Sequence, residues 1–377
     1  MKFSCLQENL AKGLSLVSRA VAARSTLPVL GNILLAADNG RLRLSATNLE
    51  LGITCWIGAK IEDEGSITLP AKTLVDLVNT LPQDMVHLGL SARTQTVSLS
   101  CGRIKASIKG IDAQEFPSIP TADIDSAIQL NVEDLREMIA GVIFAAATDE
   151  ARPILTGVLA RIEGSQVVLA ASDGFRVAER TAHLSTPVDD PVLAIIPARA
   201  LAELGRVINA EDPVYMYLPP GRGQVIFHHG HVELVSQLIE GTFPAYHNII
   251  PKSYKTRTVL STDEFRKACK SSDIIAREAA HTTRLRVKPG EDTLIPGHVI
   301  ISATAAETGD NVAEIDATID GDPVEIAFNV KYLVDVLSVI DTPNVALETS
   351  TSTSPGVIRP VGREDFVYVV MPMHLGR

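Results

Sequence analysis

The sequence lacks paired cysteines and long apolar runs, and each absence excludes a class of protein. Cys5, Cys55, Cys101 and Cys269 are scattered and form no C-x-x-C pair. We predict that they are buried free thiols in a reducing compartment, which favours a cytoplasmic location. No apolar run approaches the roughly 20 residues of a membrane helix, and none follows Met1 as a signal-peptide core. The chain is therefore expected to be globular and to make no membrane contact.

Motifs of common catalytic and metal centres are absent as well. The sequence contains no Walker A sequence, no G-x-S-x-G, no H-E-x-x-H and no complete G-x-G-x-x-G. Gly221-Arg222-Gly223 is interpreted as a hairpin tip, and His228-His229-Gly230-His231 has no cysteine or carboxylate spaced to complete a metal site. We therefore predict no catalytic residue, no metal and no cofactor.

One enzyme hypothesis stays open, in which a site is assembled across distant parts of the chain. Its candidate residues are Asp149, Glu150, Asp173 and Arg176. The alternative interpretation of Arg176 beside Asp173 is a turn with a local ion pair.

The acidic charge is unevenly distributed. A net charge of −11 argues against a nucleic-acid partner held by bulk attraction. Residues 1–120, however, carry a net charge of +2, whereas residues 121–251 carry −9 and residues 252–377 carry −4. The location of the charge therefore matters more than its total.

A long internal repeat organises the chain. The central stretch from Leu169 to Val177 has weaker relatives at Leu44–Glu50 and Ile301–Glu307, each a β-rich run that ends in a small, hydroxyl-bearing step. Two proline landmarks share one spacing of 127 residues: Pro70 with Pro197, and Phe116-Pro117 with Phe243-Pro244. This shared spacing indicates that one domain-sized unit is repeated along the chain.

Each repeat is predicted to contain a helix, strands, a second helix and further strands. Apolar stripes at i, i+3 and i+4 predict six helices, within Leu6–Val21, Leu74–Leu81, Leu135–Ala146, Leu201–Ile208, Phe265–Ile275 and Asn329–Leu337. Ser261-Thr262-Asp263-Glu264 is a capping-box pattern at the start of the fifth helix. The predicted fold class is α+β, with three repeated domains at residues 1–120, 121–251 and 252–377. Each domain is expected to be an antiparallel sheet with two helices on one face.

Four segments carry a resemblance to a known family. They are Thr26–Asn32 (TLPVLGN), Ser172–Arg176 (SDGFR), Phe328–Tyr332 (FNVKY) and Tyr368–Met373 (YVVMPM). In this order, and over a three-fold repeat, they make the chain resemble bacterial DNA polymerase III beta subunits, the sliding clamps. The resemblance implies a non-catalytic processivity factor in which two chains form a closed head-to-tail ring around duplex DNA.

The resemblance also implies where DNA is contacted. The DNA-contacting set comprises Arg24, Arg152, Lys267, Arg277 and Lys331. Arg24 matches a DNA-contacting position of the family, Arg152 and Lys331 lie in matching stretches, and Lys267 and Arg277 are among the cations of the predicted helices. Contacts to phosphate from such cations are independent of sequence and sensitive to salt, which suits sliding.

A peptide-binding pocket is implied between the second and third domains. Through it the replicative polymerase, the clamp loader and repair proteins would bind by short linear motifs. Carried onto this chain, the pocket comprises Leu155, Ser172, Gly174, Phe175, Arg176, Val177, Pro244, Ile249, Asn329, Tyr332, Val369, Met371, Pro372 and Met373.

The chain departs from the family pattern at several points. Phe175 stands where a histidine or tyrosine is common, and Pro153-Ile154 replaces an aromatic pair that some members use near DNA. His374 stands where arginine is frequent, and Gly376-Arg377 extends past the usual terminal leucine. The effect of these departures on the pocket is left open by the sequence.

The head-to-tail ring that the resemblance implies joins the first domain of one chain to the third domain of the other, and their net charges of +2 and −4 predict that these ends attract. Gly102-Arg103-Ile104-Lys105 is interpreted as a strand with both bases on one side, because residues i and i+2 share a face. They are expected to meet acidic residues of the partner at Glu307, Asp310 and Glu314. The alternative function is a multi-domain protein-binding adaptor that does not encircle DNA.

Overall fold

A computed structural model describes residues 1–22, 24–38, 40–209, 212–290 and 296–374. Gly376 and Arg377, singled out above, lie outside the described residues. Every strand pair in the described residues is antiparallel, and the helices are short and few, so the chain has the predicted α+β character. No helix in these ranges combines the length and apolar character needed to span a membrane.

Helix α1 Gln7–Val17 and helix α2 Ala71–Asn79 belong to the first repeat. Its strands are β1 Lys2–Leu6, β2 Asn32–Asp38, β3 Arg41–Thr47, β4 Leu51–Gly58, β5 Lys60–Asp63, β6 Gly65–Pro70, β7 Met85–Ser91, β8 Thr96–Cys101 and β9 Ile104–Lys109. The predicted first helix was too long at both ends, because Leu6 is the exposed residue before α1 and Val21 follows its last turn.

The central repeat contains α3 Val132–Val142 and α4 Ala198–Val207. Its strands are β10 Ile128–Leu130, β11 Gly157–Glu163, β12 Gln166–Ser172, β13 Arg176–His183, β14 Val192–Pro197, β15 Val214–Tyr217, β16 Gln224–His229 and β17 Val232–Gln237. Helices α2 and α4 begin directly after Pro70 and Pro197. The two prolines that define the repeat therefore occupy equivalent places, where a missing amide proton costs no helical hydrogen bond.

The third repeat contains α5 Thr262–Ala276 and α6 Val330–Leu337. Its strands are β18 Thr256–Ser261, β19 Thr282–Lys288, β20 Gly297–Ala305, β21 Gly309–Gly321, β22 Val324–Asn329, β23 Asn344–Thr349, β24 Gly356–Pro360 and β25 Phe366–Val370. The predicted cap of α5 is confirmed, because the Glu264 amide donates to Ser261 Oγ at 3.4 Å. Asn329 caps α6 in the same way by accepting from the Lys331 amide at 3.0 Å.

The described residues form two compact units, 1–133 with 199–238 and 134–198 with 239–377. In the first unit, β17 pairs with β4, so strands of the first two repeats share an eight-stranded sheet beside a separate five-stranded one. In the second unit, β13 pairs with β25 within a twelve-stranded sheet. The boundaries 1–120, 121–251 and 252–377 remain a prediction.

Helices lie close to the sheets that they cover. Helix α1 packs on β3 and β4, and a Cβ on Gly13 would lie only 2.7 Å from Leu44 Cδ1. Leu10, Leu14 and Val17 are fully buried on the same helix. The glycine in the apolar stripe therefore lets the helix backbone approach the sheet.

Candidate peptide-binding site and DNA-facing residues

The connection Asp173–Phe175 between β12 and β13, here called the 173–175 loop, is a tightly bonded turn. Asp173 Oδ1 accepts from the amides of Phe175 and Arg176 at 2.9 and 3.1 Å. Ser172 Oγ donates to the Arg176 carbonyl at 2.8 Å and accepts from the Gly174 amide at 3.1 Å. Gly174 has φ +92°, a left-handed conformation that side chains rarely adopt. The turn therefore requires this sequence and presents Phe175 to solvent.

The buried side chain of Arg176 anchors the 173–175 loop. Its side chain is 8% exposed, and its Nε donates to Asp173 Oδ2 at 3.0 Å, which confirms the local ion pair. Its Nη1 donates to Asp335 Oδ2 and its Nη2 to the Phe144 carbonyl, both at 2.6 Å. The Tyr332 ring lies 4.3 Å from the guanidinium carbon, a cation–π distance. Arg176 is thus bound within the protein rather than open to a peptide.

The charge of Arg176 is well compensated in this setting. Burial alone would lower the pKa of the guanidinium, but Tyr368, Asp335 and Asp173 outweigh burial and raise it. Burial also raises the pKa of Tyr332 and Tyr368, with Asp173 adding to the effect. The group therefore stays a cation that fixes the 173–175 loop to α6.

Strand β25 brings residues 371–373, here called the C-terminal segment, to this loop. Arg176 pairs with Val370 and Val177 with Val369, and the Met371 amide then donates to the Phe175 carbonyl at 2.8 Å. Beyond Pro372, the Met373 amide donates to the Ala327 carbonyl at 2.8 Å. The segment is therefore held by its backbone and by a hydrogen bond of 3.6 Å from Thr282 Oγ1 to Met373 Sδ, whereas the Met371 side chain is exposed.

An apolar surface results within the second unit. Val177 and Val369 belong to one buried cluster with Phe243 and Tyr246, the residues that flank the exposed Pro244. Three apolar residues close in sequence to members of this cluster are exposed to solvent. Phe175 is 57% exposed, Met371 is 38% exposed and Ile249 is also exposed. Exposed apolar side chains grouped beside a buried core are typical of a binding surface.

Some of the remaining pocket candidates are connected to this surface by described contacts, and others are not. Asn329 caps the helix that carries Tyr332, and Tyr332 stacks on Arg176. Leu155 is half-buried, its carbonyl accepts from the Ala147 amide at 2.8 Å, and its neighbour Ile154 packs on the buried cluster. No described hydrogen bond joins Leu155 to the 173–175 loop.

Sequence reasoning missed two residues of the Arg176 network, Asp335 and Phe144. Asp335 was visible as the counterpart of Asp76, because Lys331 to Leu337 echoes Lys72 to Val78. An aspartate in a helix is ordinarily assigned to solvent, and only the fold brings it to Arg176. Phe144 contributes through its carbonyl and through its ring, whose centroid lies 5.5 Å from the Arg176 guanidinium carbon, and no local sequence pattern marks either contact.

The DNA-contact candidates are exposed, but they occupy different surroundings. Lys267 pairs with Asp263 at 2.6 Å on α5, and Arg277, the residue after this helix, pairs with Asp273 at 3.4 Å, both as i, i+4 pairs. Such surface pairs are weak, so the cations can exchange a carboxylate for a phosphate.

Arg24, Lys331 and Arg152 complete this set. Arg24 and Lys331 are exposed, the latter in the first turn of α6. Arg152 Nη1 lies 2.8 Å from the place that a Cβ on Gly174 would take. The structure therefore places Arg152 against the 173–175 loop.

The interface candidates lie at free strand edges. Strand β9 is an edge of its sheet, and residues 309–317 of β21 pair only with β20 in the described part of the chain. The expectation that Arg103 and Lys105 share a strand face is wrong, because Arg103 lies in the turn before β9. Glu307 lies in the β20–β21 turn, and Asp310 and Glu314 are exposed on β21.

The residues of the enzyme hypothesis divide into separate settings. Asp173 and Arg176 are bound to each other, whereas Asp149 accepts from the Ala151 amide at 2.9 Å in an exposed turn that also contains Glu150. Within the described ranges, no group of three or more metal-ligating side chains is arranged to hold an ion.

Comparisons with known proteins agree along the whole chain. Models of the N-terminal, central and C-terminal domains of the DNA polymerase III beta subunit match residues 1–120, 129–245 and 247–374. The beta sliding clamp of Synechococcus elongatus is 35% identical over 381 residues, covering 100% of both chains, and that of Staphylococcus aureus is 30% identical over 384 residues, covering 99% of each. The crystal structure of the Bacillus subtilis DNA polymerase sliding clamp matches with a TM-score of 0.93 and 29% identity over 100% of both chains.

Fold and relatives together define the class of protein as a sliding clamp, a processivity factor of DNA replication. The chain belongs to the DNA polymerase III beta subunit family. Its three domains, each with antiparallel sheets and few helices, are those of that family.

Proposed function

We propose that two copies of this chain close head to tail around duplex DNA and tether the replicative polymerase, the clamp loader and repair proteins. The single observation that carries the proposal is full-length similarity to sliding clamps, in sequence and in fold. The clamp acts through topology and peptide binding rather than catalysis. Deep burial raises the pKa of Cys5 to about 12 and of Cys55 to about 11, so these thiols stay protonated.

The peptide-binding surface consists of the 173–175 loop, the C-terminal segment and the apolar cluster beneath them. A peptide with apolar anchors gains most where hollows are desolvated on binding. Phe175, Met371 and Ile249 supply exposed apolar area, and the Met371 side chain is flexible enough to fit different anchors. Arg176 has a positioning role, because its guanidinium is already bonded to Asp173 and Asp335.

DNA is held without tight binding. Arg24, Lys267, Arg277 and Lys331 offer dispersed positive charge on an acidic protein of net charge −11. Few phosphate contacts give weak, salt-sensitive and sequence-independent attraction. Retention then depends on ring closure, since sliding requires that no single contact be strong. Arg152 is also assigned to the DNA-contacting set, although it lies beside the 173–175 loop.

The dimer forms between the free edges of β9 and β21. Head-to-tail association joins two different surfaces and closes at a fixed rotation. Lys105 and Ile104 are exposed on β9, while Val312 is exposed on β21 and Ile274 on α5. Ser272 Oγ donates to Asn311 Oδ1 at 3.0 Å, which holds α5 beside β21. The edges thus combine unpaired backbone, apolar side chains and opposite charge.

A DNA-retention assay tests the proposed function. The full-length protein is loaded with its clamp loader onto nicked circular DNA and isolated by gel filtration. We expect it to stay on circles and to leave when the DNA is made linear. Retention that does not depend on topology would favour an adaptor that binds proteins or DNA without encircling it.

A further inference from the structure

A cavity of about 410 Å³ lies on the eight-stranded sheet of the first unit. Its floor is formed by β2, β3 and β4, and its roof by the segment from Ala113 to Thr121. The volume falls within the roughly 300–1,000 Å³ that small-molecule sites occupy. The peptide-binding surface, the DNA-contacting set and the interface edges use none of its lining residues.

The roof is fixed at both ends. Before the segment, Ile111 and Thr68 exchange two backbone hydrogen bonds of 3.0 Å, and after it the Ala122 amide donates to Glu233 Oε1 at 3.4 Å. Between these points Phe116 packs in a buried cluster that includes Leu30. The cavity is therefore bordered by anchored elements and is part of the fold.

A cation without a partner lines the floor. Arg43 is half-buried on β3, and its Nε is buried without a hydrogen-bond acceptor. No described side chain forms an ion pair with its guanidinium. A buried donor without an acceptor is unfavourable, and in native proteins such a group calls for an explanation.

A pair of buried hydroxyls beside Arg43 adds a second free donor. Ser45 Oγ and Thr54 Oγ1 lie 3.0 Å apart, with residue exposures of 3% and 5%. Because one hydrogen bond between two hydroxyls uses one of their two protons, the other proton has no acceptor among the described residues. Donors therefore exceed acceptors on the cavity floor.

We propose that this cavity binds a small oxyanion, a carboxylate or phosphate group, through the Arg43 guanidinium and the Ser45–Thr54 hydroxyl pair. A planar guanidinium binds either group with charge-assisted hydrogen bonds. Glu64 also lines the cavity, exposed at its rim and without a described ion pair. Its carboxylate opposes a bound anion, so the two charged residues have opposite effects on affinity.

Trp56 provides a direct probe. It is the single tryptophan of the sequence, and it lies directly opposite Arg43 in the β3–β4 pairing, on the same face of the sheet. Its fluorescence is followed while the full-length protein is titrated with inorganic phosphate or malonate at constant ionic strength in chloride buffer. We expect a saturable change with at least one of the two probes.

Three variants test whether each charged residue raises or lowers the affinity for the anion. Arg43→Gln should weaken binding of the active probe about tenfold or more, because the charged donor is lost. Glu64→Gln should tighten binding about two- to fivefold by removing a like charge. Arg41→Gln is the matched control, since Arg41 is exposed two residues away on the same strand and does not line the cavity. Its affinity should equal that of the wild type.

The outcomes are decisive in each direction. Saturation with phosphate alone or with malonate alone supports the proposal and assigns the anion class. No saturation with either probe, or equal affinity in wild type and Arg43→Gln, overturns it. Should Arg43→Gln fail to fold by circular dichroism, Arg43→Lys replaces it. That variant keeps the charge but loses the fork, and unchanged affinity there would also overturn the assignment.

Discussion

At the scale of single residues, the guanidinium of Arg176 fixes the loop that forms one side of the proposed peptide-binding surface. It is bonded to Asp173, Asp335 and the Phe144 carbonyl, and Tyr332 covers one face of it. Asp335 and Tyr332 lie on α6, and Phe144 lies in the turn that follows α3. The 173–175 loop is therefore positioned by α6 and by that turn.

Asp335→Ala tests this network. Removing one carboxylate leaves a buried cation with fewer acceptors, which should cost about 1–3 kcal/mol of unfolding free energy and weaken peptide binding. Asp335→Asn is the matched control, because it keeps an oxygen that accepts from Nη1 and should lose less. Chemical denaturation and calorimetric peptide titration provide the measurements. Unchanged stability and affinity in the alanine variant would contradict the positioning role.

Met371→Ala tests the peptide contact itself. If Met371 lines a filled hollow, truncation should cost about 2 kcal/mol of binding free energy, measured by calorimetry with a peptide from the replicative polymerase of the same organism. Leu193→Ala is the control, an exposed apolar residue elsewhere in the same unit. Deleting residues 371–377 should abolish binding and leave a dimer. Peptide affinity that survives the deletion would place the site elsewhere.

Local signals in the sequence predicted part of this site and tertiary contacts supplied the rest. The turn Asp173–Phe175 and its ion pair to Arg176 depend on neighbours in sequence, so they could be predicted. Asp335 is 159 residues from Arg176, and no local pattern marks the pair. Arg176 was assigned to the pocket lining, but its side chain is turned into the protein because compensating acids are available there.

At the scale of elements, the repeated helices were predictable because their caps and apolar stripes are strong. The Ser261 cap predicted the start of α5, whereas α2 and α4 begin about one turn before the first apolar residue of each predicted stripe. Ends were less certain, since the stripe of α1 continues in sequence after the helix has ended. Arg103 shows the same limit for strands, because Gly102, at φ +55°, turns the chain just before β9.

The cations on α5 and in the first repeat support a prediction at this scale. Reversing Arg24, Lys267 and Arg277 to glutamate should weaken DNA binding and flatten its salt dependence, because each lost phosphate contact reduces counterion release. Peptide binding should be unchanged. Arg222→Glu, at an exposed hairpin tip, controls for a change of net charge. A salt titration of DNA affinity provides the measurement, and equal slopes in the triple variant and wild type would contradict the assignment.

At the scale of the whole molecule, the proposed ring depends on an interface between two different surfaces of the same chain. Exposed surface ion pairs contribute roughly 0.2–1 kcal/mol each. Ile104, Val312 and Ile274 and the free backbone edges must therefore supply most of the stability of the dimer. Charge then acts mainly on the association rate and on the choice of partner surface.

A charge swap tests that division of roles. Arg103→Glu with Lys105→Glu should weaken the dimer at low salt, because the reversed charges at the start of β9 would lie near the acidic edge of the partner. Reversing Glu307 and Glu314 to lysine in the same chain should partly restore it, while high salt should shrink both effects by screening. Arg103 lies in a turn, whereas Lys105 lies on β9. Lys105→Glu alone is therefore expected to weaken the dimer more than Arg103→Glu alone. Sedimentation equilibrium at two salt concentrations measures these changes. Dimerisation left intact by the double reversal, together with a large loss in Ile274→Ser, would show an apolar interface that does not use these charges.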